Sequence, residues 1–157
     1  MPELDDRYLD ALETLATALD DRDVTWALTG STSFALQGVP LSPDDIDVQT
    51  TEDGAYAIED AFSERVVDPV SVSESERIRS HFGAIDLDGV RVEIMGAVQK
   101  RRDDGTWDPP VDVTDHRTIV DTGRVRVPVL SLDYEATAYE RLGRSERAAL
   151  LEEYSGE

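Results

Sequence analysis

The 157-residue sequence contains no cysteine, which excludes disulfide bonds, thiolate metal ligands and a cysteine nucleophile. Its two histidines, His81 and His116, are too few for a typical zinc site. No apolar run approaches the roughly 20 residues that a membrane-spanning helix needs. The first residues, MPELDDRYLD, are acidic and unlike a secretory or transit peptide. We therefore expect a soluble, cytoplasmic protein without membrane contact, forming one domain over residues 1–157.

Basic residues are scarce as well: 15 Lys and Arg stand against 35 Asp and Glu, a formal net charge of −20. Lys100 is the only lysine. Extended binding to nucleic acid is not expected, because no basic stripe exists that could release counterions from phosphates. Molar salt shortens the Debye length to about 3 Å, so this surplus of acid is typical of a salt-rich cytoplasm and predicts a halophilic source. Most acidic side chains are then solvated surface, and only position can identify a functional carboxylate.

Hydrophobic periodicity alternates between helical and strand-like along the chain. After a helix and a short strand, a turn at Gly30 and Ser31 opens a second helix, and DIDV forms the next strand. Later segments read as two hairpins, one with Asp88-Gly89 as its turn, followed by two C-terminal helices. Helices are predicted over 4–19, 31–37, 52–65 and, in two parts, 131–154, with strands over 26–28 and 45–49 and hairpins over 82–94 and 111–128. This order predicts an α+β domain with a mixed sheet.

Two carboxylates, Asp45 and Asp47, alternate along the predicted strand, so both point to one face and the apolar residues to the other. In VRVEI, Glu93 also points away from its apolar neighbours. If the two strands are adjacent and bury their apolar faces together, Glu93 joins Asp45 and Asp47 on one surface. Such carboxylates repel one another unless a divalent cation lies between them, and oxygen ligands suit Mg²⁺. A pair of ions could hold the attacking and leaving oxygens of an in-line phosphoryl or nucleotidyl transfer.

The turn at Gly30 and Ser31 suits a phosphate. It lies between a strand and a short helix, where free backbone N–H groups and the helix dipole favour an anion. Gly30 allows a close approach of the backbone, and the Ser31 hydroxyl can donate a hydrogen bond to a phosphate oxygen. A purely structural alternative is that Ser31 only caps the helix and that Asp45 and Asp47 only line an exposed strand.

LTGS, DIDV and VEI, in this order, resemble the hG[GS]…[DE]h[DE]h…h[DE]h signature of the DNA polymerase β-like nucleotidyltransferase superfamily. The length is similar to that of its small, minimal or antibiotic-modifying members, and VPVLSLDYEATAYERLGR is similar to the segment that opens their C-terminal helix. The resemblance covers residues 24–145. It implies a polymerase β-like nucleotidyltransferase fold, with the helices packed mainly on one face of the sheet.

The resemblance also implies a role for each motif residue. Gly30 and Ser31 would bind the β- and γ-phosphates of a nucleotide. Asp45 and Asp47 would ligate Mg²⁺, in the family a pair of ions. Glu93 would be the third metal ligand and the candidate base that activates the acceptor hydroxyl.

The implied activity is Mg²⁺-dependent transfer of a nucleoside monophosphate from an NTP, with ATP as the expected donor, to a hydroxyl of a small molecule or protein. Where relatives often carry a helix lysine this chain has Tyr139, and Arg141 and Arg144 are the nearby candidate cations. A homodimer or a cognate protein could complete the acceptor site. The alternative is a catalytically weak nucleotidyltransferase-fold protein that acts as a regulatory or toxin–antitoxin partner.

Overall fold

Seven β-strands and five α-helices make up most of residues 5–155, the part of the chain that the computed structural model describes. The helix start predicted at Leu4 lies outside this part. The helices are α1 (Asp6–Asp21), α2 (Gly30–Leu36), α3 (Glu52–Ala61), α4 (Leu132–Arg141) and α5 (Ser145–Tyr154). The strands are β1 (Trp26–Thr29), β2 (Ile46–Thr50), β3 (Val66–Glu74), β4 (Ile78–Leu87), β5 (Val90–Lys100), β6 (Arg117–Asp121) and β7 (Arg126–Leu130).

The seven strands form one sheet in the order β3-β4-β5-β2-β1-β7-β6. At its centre β2 pairs in parallel with β5 and antiparallel with β1, and β1 pairs in parallel with β7, so the sheet is mixed. The hairpins β4–β5 and β6–β7 turn at Asp88-Gly89 and around Gly123, as predicted. The predicted α+β class with a mixed sheet is therefore confirmed.

The helices begin and end close to the predicted positions. The Ser131 hydroxyl caps α4 by accepting a hydrogen bond from the backbone N–H of Tyr134 at 3.3 Å. The predicted third helix is shorter than expected, because α3 ends at Ala61 and a 3₁₀ turn, Ser63–Arg65, follows it. The tighter turn redirects the chain into the edge strand β3 within three residues. No helix within residues 5–155 is both long enough and apolar enough to cross a bilayer.

The helices pack on both faces of the sheet and leave part of the second face open. α1 and α3 pack on one face, where Leu28 and Ile94 are fully buried in the main apolar cluster. On the other face Ala27 of β1 packs against Tyr134 of α4, and α2, α4 and α5 share a smaller cluster around Phe34. Farther across this second face, Met95 of β5 is only half-buried.

A β-bulge at Ala97 changes the face to which the end of β5 points. Ala97 has a φ of 53°, and between the pairs His81–Gly96 and Arg79–Gln99 strand β5 has one residue more than β4. Simple alternation would put Lys100 on the face opposite to Glu93. After the bulge, Lys100 lies on the face of Glu93, 7% exposed, and its Nζ donates to the Tyr134 hydroxyl at 3.2 Å.

The acid surplus predicts that salt stabilises this fold. Ion pairs such as Arg22–Asp60 and Arg65–Asp88 join largely exposed side chains and contribute little each. They cannot offset the repulsion from a net charge of −20. Raising KCl from about 0.1 M to about 2 M should therefore raise the thermal unfolding midpoint by about 5 °C or more, measured by circular dichroism.

Sucrose at matched osmolality is the control, because it is excluded from protein surfaces but screens no charge. A midpoint that falls in KCl, or rises no more than it does in sucrose, would show that charge repulsion does not limit the stability of this protein.

Candidate active site

The structure brings the predicted carboxylates together. β2 and β5 pair in parallel, and their register sets Asp47 directly opposite Glu93. On the other face of the same strands Ile46 and Val92 are fully buried, so the apolar residues hold both acidic side chains on the second face. Asp45 precedes β2 and lies close enough to Asp47 and Glu93 to interact with both charges.

The proximity of these groups changes their ionisation. Burial, followed by the charge of Glu93 and a hydrogen bond with it, raises the pKa of Asp47 to about 8. Burial, followed by the charges of Glu93 and Asp44, also raises the pKa of Asp45. Without a cation, burial and the adjacent Glu93 carboxylate therefore both favour the protonated form of Asp47.

The turn at Gly30 and Ser31 lies directly against these carboxylates. Gly30 has a φ of 74°, and a Cβ added there would lie 2.1 Å from Oδ2 of Asp47, so both conformation and space require glycine. The Ser31 Oγ accepts a hydrogen bond from the backbone N–H of Asp44 at 3.0 Å. Because that bond uses an acceptor site, the Ser31 hydroxyl proton stays available to donate to an anion.

Glu135 supports the turn from behind and is not among the site residues predicted from the sequence. Its carboxylate is 2% exposed, and both oxygens lie within hydrogen-bond distance of the Thr29 Oγ1, at 2.9 and 2.8 Å. The backbone N–H of Gly30 faces the same carboxylate. That N–H is thus directed inward, which leaves Ser31 and the following residues of α2 to contact a phosphate. The available signal was an acidic residue between Leu132 and Ala136 on the apolar side of a predicted helix.

The C-terminal helices bring two arginines to a cavity of about 550 Å³, lined by Leu41, Leu150 and residues 143–147. Within residues 5–155, neither Arg144 nor Arg147 forms an ion pair. The ring of Tyr139 lies beneath the guanidinium of Arg144, with its centroid 4.9 Å from the guanidinium carbon.

Tyr139 lies within electrostatic range of both Asp47 and the two cavity arginines. Burial is the largest cause that raises the pKa of Tyr139; the charges of Glu135 and Asp47 also raise it, and Arg144 and Arg147 lower it. Arg141, another candidate from the sequence, forms an ion pair with Asp108 instead. Among the described residues that line the cavity, Arg144 and Arg147 are therefore cations without an ion-pair partner.

Arg91 is the cation nearest to the carboxylates. Its Nε lies 3.0 Å from Oε2 of Glu93 and 3.9 Å from Oδ2 of Asp45. Its Nη2 lies 3.2 Å from Oδ2 of Asp68 on β3. The guanidinium therefore lies among the same side chains that the sequence predicts as metal ligands.

The donor set fits a hard divalent cation. Asp45, Asp47 and Glu93 offer only oxygen ligands, and a cation would favour the ionised form of Asp47. In the arrangement seen, no three His, Asp or Glu side chains of residues 5–155 already surround a position for an ion. The ligand chemistry suits Mg²⁺, and a small rearrangement around Arg91 would have to accompany its binding.

The buried Glu135 predicts a specific pH dependence of stability. Burial raises its pKa from 4.5 to about 7, against the opposing effects of Thr29, Gly30 and Lys100. Because the folded state keeps this proton longer, its stabilising effect is complete below pH 4.5 and is lost as the pH rises to about 7. Glu135→Gln cannot ionise, so wild type should be favoured at low pH and lose on the order of 3 kcal/mol relative to the variant by pH 8.

Urea unfolding of both proteins across this pH range measures the difference. Glu140→Gln, at an exposed position of the same helix, is the matched control and should show no such trend. A constant difference between wild type and Glu135→Gln would mean that folding does not change the pKa of Glu135.

Comparison with known proteins identifies the family of this chain. The model of the aminoglycoside-2''-adenylyltransferase family matches residues 11–155. A candidate nucleotidyltransferase from Thermotoga maritima, solved by crystallography, is 48% identical over 97% of this chain and 94% of its own, with a TM-score of 0.86. No curated protein matches.

Two more distant structures share the fold. The antibiotic-resistance factor ANT(2'')-Ia aligns over 94% of this chain and 84% of its own, at 12% identity and a TM-score of 0.59. The lincosamide antibiotic adenylyltransferase LnuA aligns over 99% of this chain and 100% of its own, at 9% identity and a TM-score of 0.59. The match to the family model shows that the chain belongs to the aminoglycoside-2''-adenylyltransferase family and is a nucleotidyltransferase.

Proposed function

We propose that this protein, acting as one domain over residues 1–157, transfers a nucleoside monophosphate from a Mg²⁺-bound NTP to a hydroxyl group. ATP is the expected donor, and a small molecule or a protein carries the acceptor hydroxyl. The observation that carries the proposal is the parallel register of Asp47 with Glu93 beside the turn at Gly30 and Ser31. It puts a carboxylate cluster within reach of an anion held by that turn.

Asp45, Asp47 and Glu93 would hold the Mg²⁺, which when bound neutralises phosphate charge and polarises the phosphoryl oxygens. Other steps, phosphate binding and proton transfer, depend on the protein's own side chains and backbone. Ser31 donates its hydroxyl proton to a phosphate oxygen, and Gly30 lets α2 begin against that phosphate. Glu93 accepts the proton of the acceptor hydroxyl as that oxygen attacks the α-phosphate, and pyrophosphate leaves.

Arg144 and Arg147 would bind the β- and γ-phosphates in place of the helix lysine. They line the cavity next to Tyr139 and have no acidic partner within residues 5–155, although the chain is strongly acidic. Guanidinium groups also match phosphate geometry well, because two N–H donors can engage two oxygens. The two guanidinium groups would therefore partly neutralise the negative charge of the leaving pyrophosphate.

The acceptor would bind on the open part of the second sheet face, next to Glu93. Met95 offers apolar contact there, and Asp45 and Asp68 add negative charge that favours a cationic or polyhydroxylated acceptor. The family model concerns an aminoglycoside adenylyltransferase, and one structural neighbour is a lincosamide antibiotic adenylyltransferase. These two antibiotic classes are therefore the first acceptors to test.

The central test is nucleotide transfer by the purified protein in high KCl. Wild type with Mg²⁺, a panel of NTPs and candidate acceptors should release pyrophosphate and add one nucleotide mass to an acceptor, measured by mass spectrometry. Asp47→Asn should lower kcat at least about 100-fold, because a ligand that neutralises transition-state charge is lost. Asp60→Asn, which removes an exposed carboxylate of α3, should leave kcat unchanged.

Three outcomes are informative. Equal activity of Asp47→Asn and wild type would refute the site. Failure of every NTP to bind in the presence of Mg²⁺ would refute the function. Nucleotide binding without transfer to any acceptor would favour the regulatory or toxin–antitoxin partner instead.

A second test addresses the phosphate cations. Arg144→Gln and Arg147→Gln should each raise the Kd of ATP about 10-fold, the scale of one charge-assisted hydrogen bond, while the Kd of AMP changes little. Arg126→Gln, which removes an exposed guanidinium on β7, is the matched control. Isothermal titration calorimetry measures all three, and equal losses for ATP and AMP would contradict a role at the β- and γ-phosphates.

A further inference from the structure

Arg91 differs from the other arginines near the site in the partners that it holds. On β5 it lies two residues before Glu93, so both side chains project from the same face. Its Nε donates to Glu93 at 3.0 Å and lies 3.9 Å from Asp45, while its Nη2 donates to Asp68 at 3.2 Å. One guanidinium thus contacts two proposed metal ligands and one carboxylate that is not a proposed ligand.

This arrangement opposes the binding of a bare cation. Glu93 Oε2 already accepts a charge-assisted hydrogen bond, and a divalent ion among these carboxylates would face the guanidinium at close range. Binding of the ion to Glu93 would have to break the Arg91–Glu93 hydrogen bond, and without a nucleotide no phosphate oxygens would offset that loss. The absence, within residues 5–155, of three side chains ready to surround an ion agrees with this view.

Asp68 gives Arg91 a second anionic partner. It lies on the edge strand β3, and its bond to Nη2 is separate from the bond of Nε to Glu93. Arg91 can therefore release Glu93 and keep an anionic partner. A nucleotide lowers the cost of that release, because its phosphates bring both negative charge and further oxygen ligands for the cation.

We propose that Arg91 is a built-in counter-ion that keeps the carboxylate site closed to free divalent cations and yields it to a cation that arrives with nucleotide phosphates. This rests on the proposed function, since it uses the same carboxylates. The consequence is ordered loading: metal and nucleotide bind together, and the site does not accumulate free metal. In energetic terms, Arg91 makes metal binding and nucleotide binding more strongly coupled.

Binding of Mn²⁺, measured by electron paramagnetic resonance on the full chain at constant KCl and pH, tests the coupling without any catalytic readout. Mn²⁺ accepts the same carboxylate and water ligands as Mg²⁺. Each protein is titrated with Mn²⁺ alone and with Mn²⁺ plus a non-hydrolysable ATP analogue. The variants are Arg91→Gln and, as the matched control, Arg65→Gln, which removes an exposed guanidinium paired only with Asp88.

For Arg91→Gln, Mn²⁺ alone should bind about 10-fold tighter than to wild type, while its affinity in the presence of the analogue changes little. The coupling between Mn²⁺ and the analogue should therefore shrink by the same factor. Arg65→Gln should retain the wild-type coupling. These results would support the proposal.

Two results would overturn it while leaving the proposed function intact: unchanged Mn²⁺ affinity in Arg91→Gln, or an equal gain with and without the analogue, which is the signature of general charge removal. If Mn²⁺ binds to none of the proteins under either condition, the metal site itself fails and the role of Arg91 fails with it. If wild type binds Mn²⁺ with the analogue and Asp47→Asn does not, the site stands, and the Arg91 comparison decides the proposal alone.

Discussion

The parallel pairing of β2 with β5 is the constraint on which the candidate site depends. It sets Asp47 opposite Glu93 and buries the apolar residues of both strands under α1 and α3. Sliding one strand by a single residue would move its carboxylates to the apolar face, so the hydrophobic core enforces the register of the acidic residues. Burial and the neighbouring Glu93 carboxylate raise the pKa of Asp47, and a cation between the two side chains would relieve this repulsion. The fold therefore concentrates negative charge at the candidate site.

Around this pair the other elements supply support and counter-charge. Glu135 holds Thr29 and faces the N–H of Gly30, and Gly30 in turn contacts Asp47. Burial brings Glu135 into contact with Thr29 and Gly30, but it also raises the pKa of the Glu135 carboxyl group. Ionisation of this buried group therefore lowers the stability of the folded protein near neutral pH. Glu135 thus supplies hydrogen bonds behind the turn, and Arg91 supplies positive charge among the carboxylates.

Much of the fold could be predicted from local patterns, because strand alternation, the Asp88-Gly89 turn and the Ser131 cap depend on near neighbours in the chain. The grouping of Asp45, Asp47 and Glu93 needed only the assumption that their strands are adjacent. Glu135 and Lys100 could not be found this way. The partner of Glu135, Thr29, is 106 residues away, and a bulge at Ala97 reverses the alternation that would place Lys100. The sequence gives no prediction where one irregular residue or one distant contact decides which side chains meet.

The sequence by itself determined which residues could carry the chemistry, their order and the α+β class, since hydrophobic periodicity and residue type are local properties. Tertiary structure alone decided which charges meet. It paired Arg141 with Asp108, left Arg144 and Arg147 at a cavity without acidic partners among the described residues, and set Arg91 among the carboxylates. In a chain with 35 acidic residues, composition cannot say which carboxylate neutralises which cation. That choice depends on distances of a few ångströms between strands and helices far apart in the chain, because electrostatic and hydrogen-bond energies fall steeply over such distances.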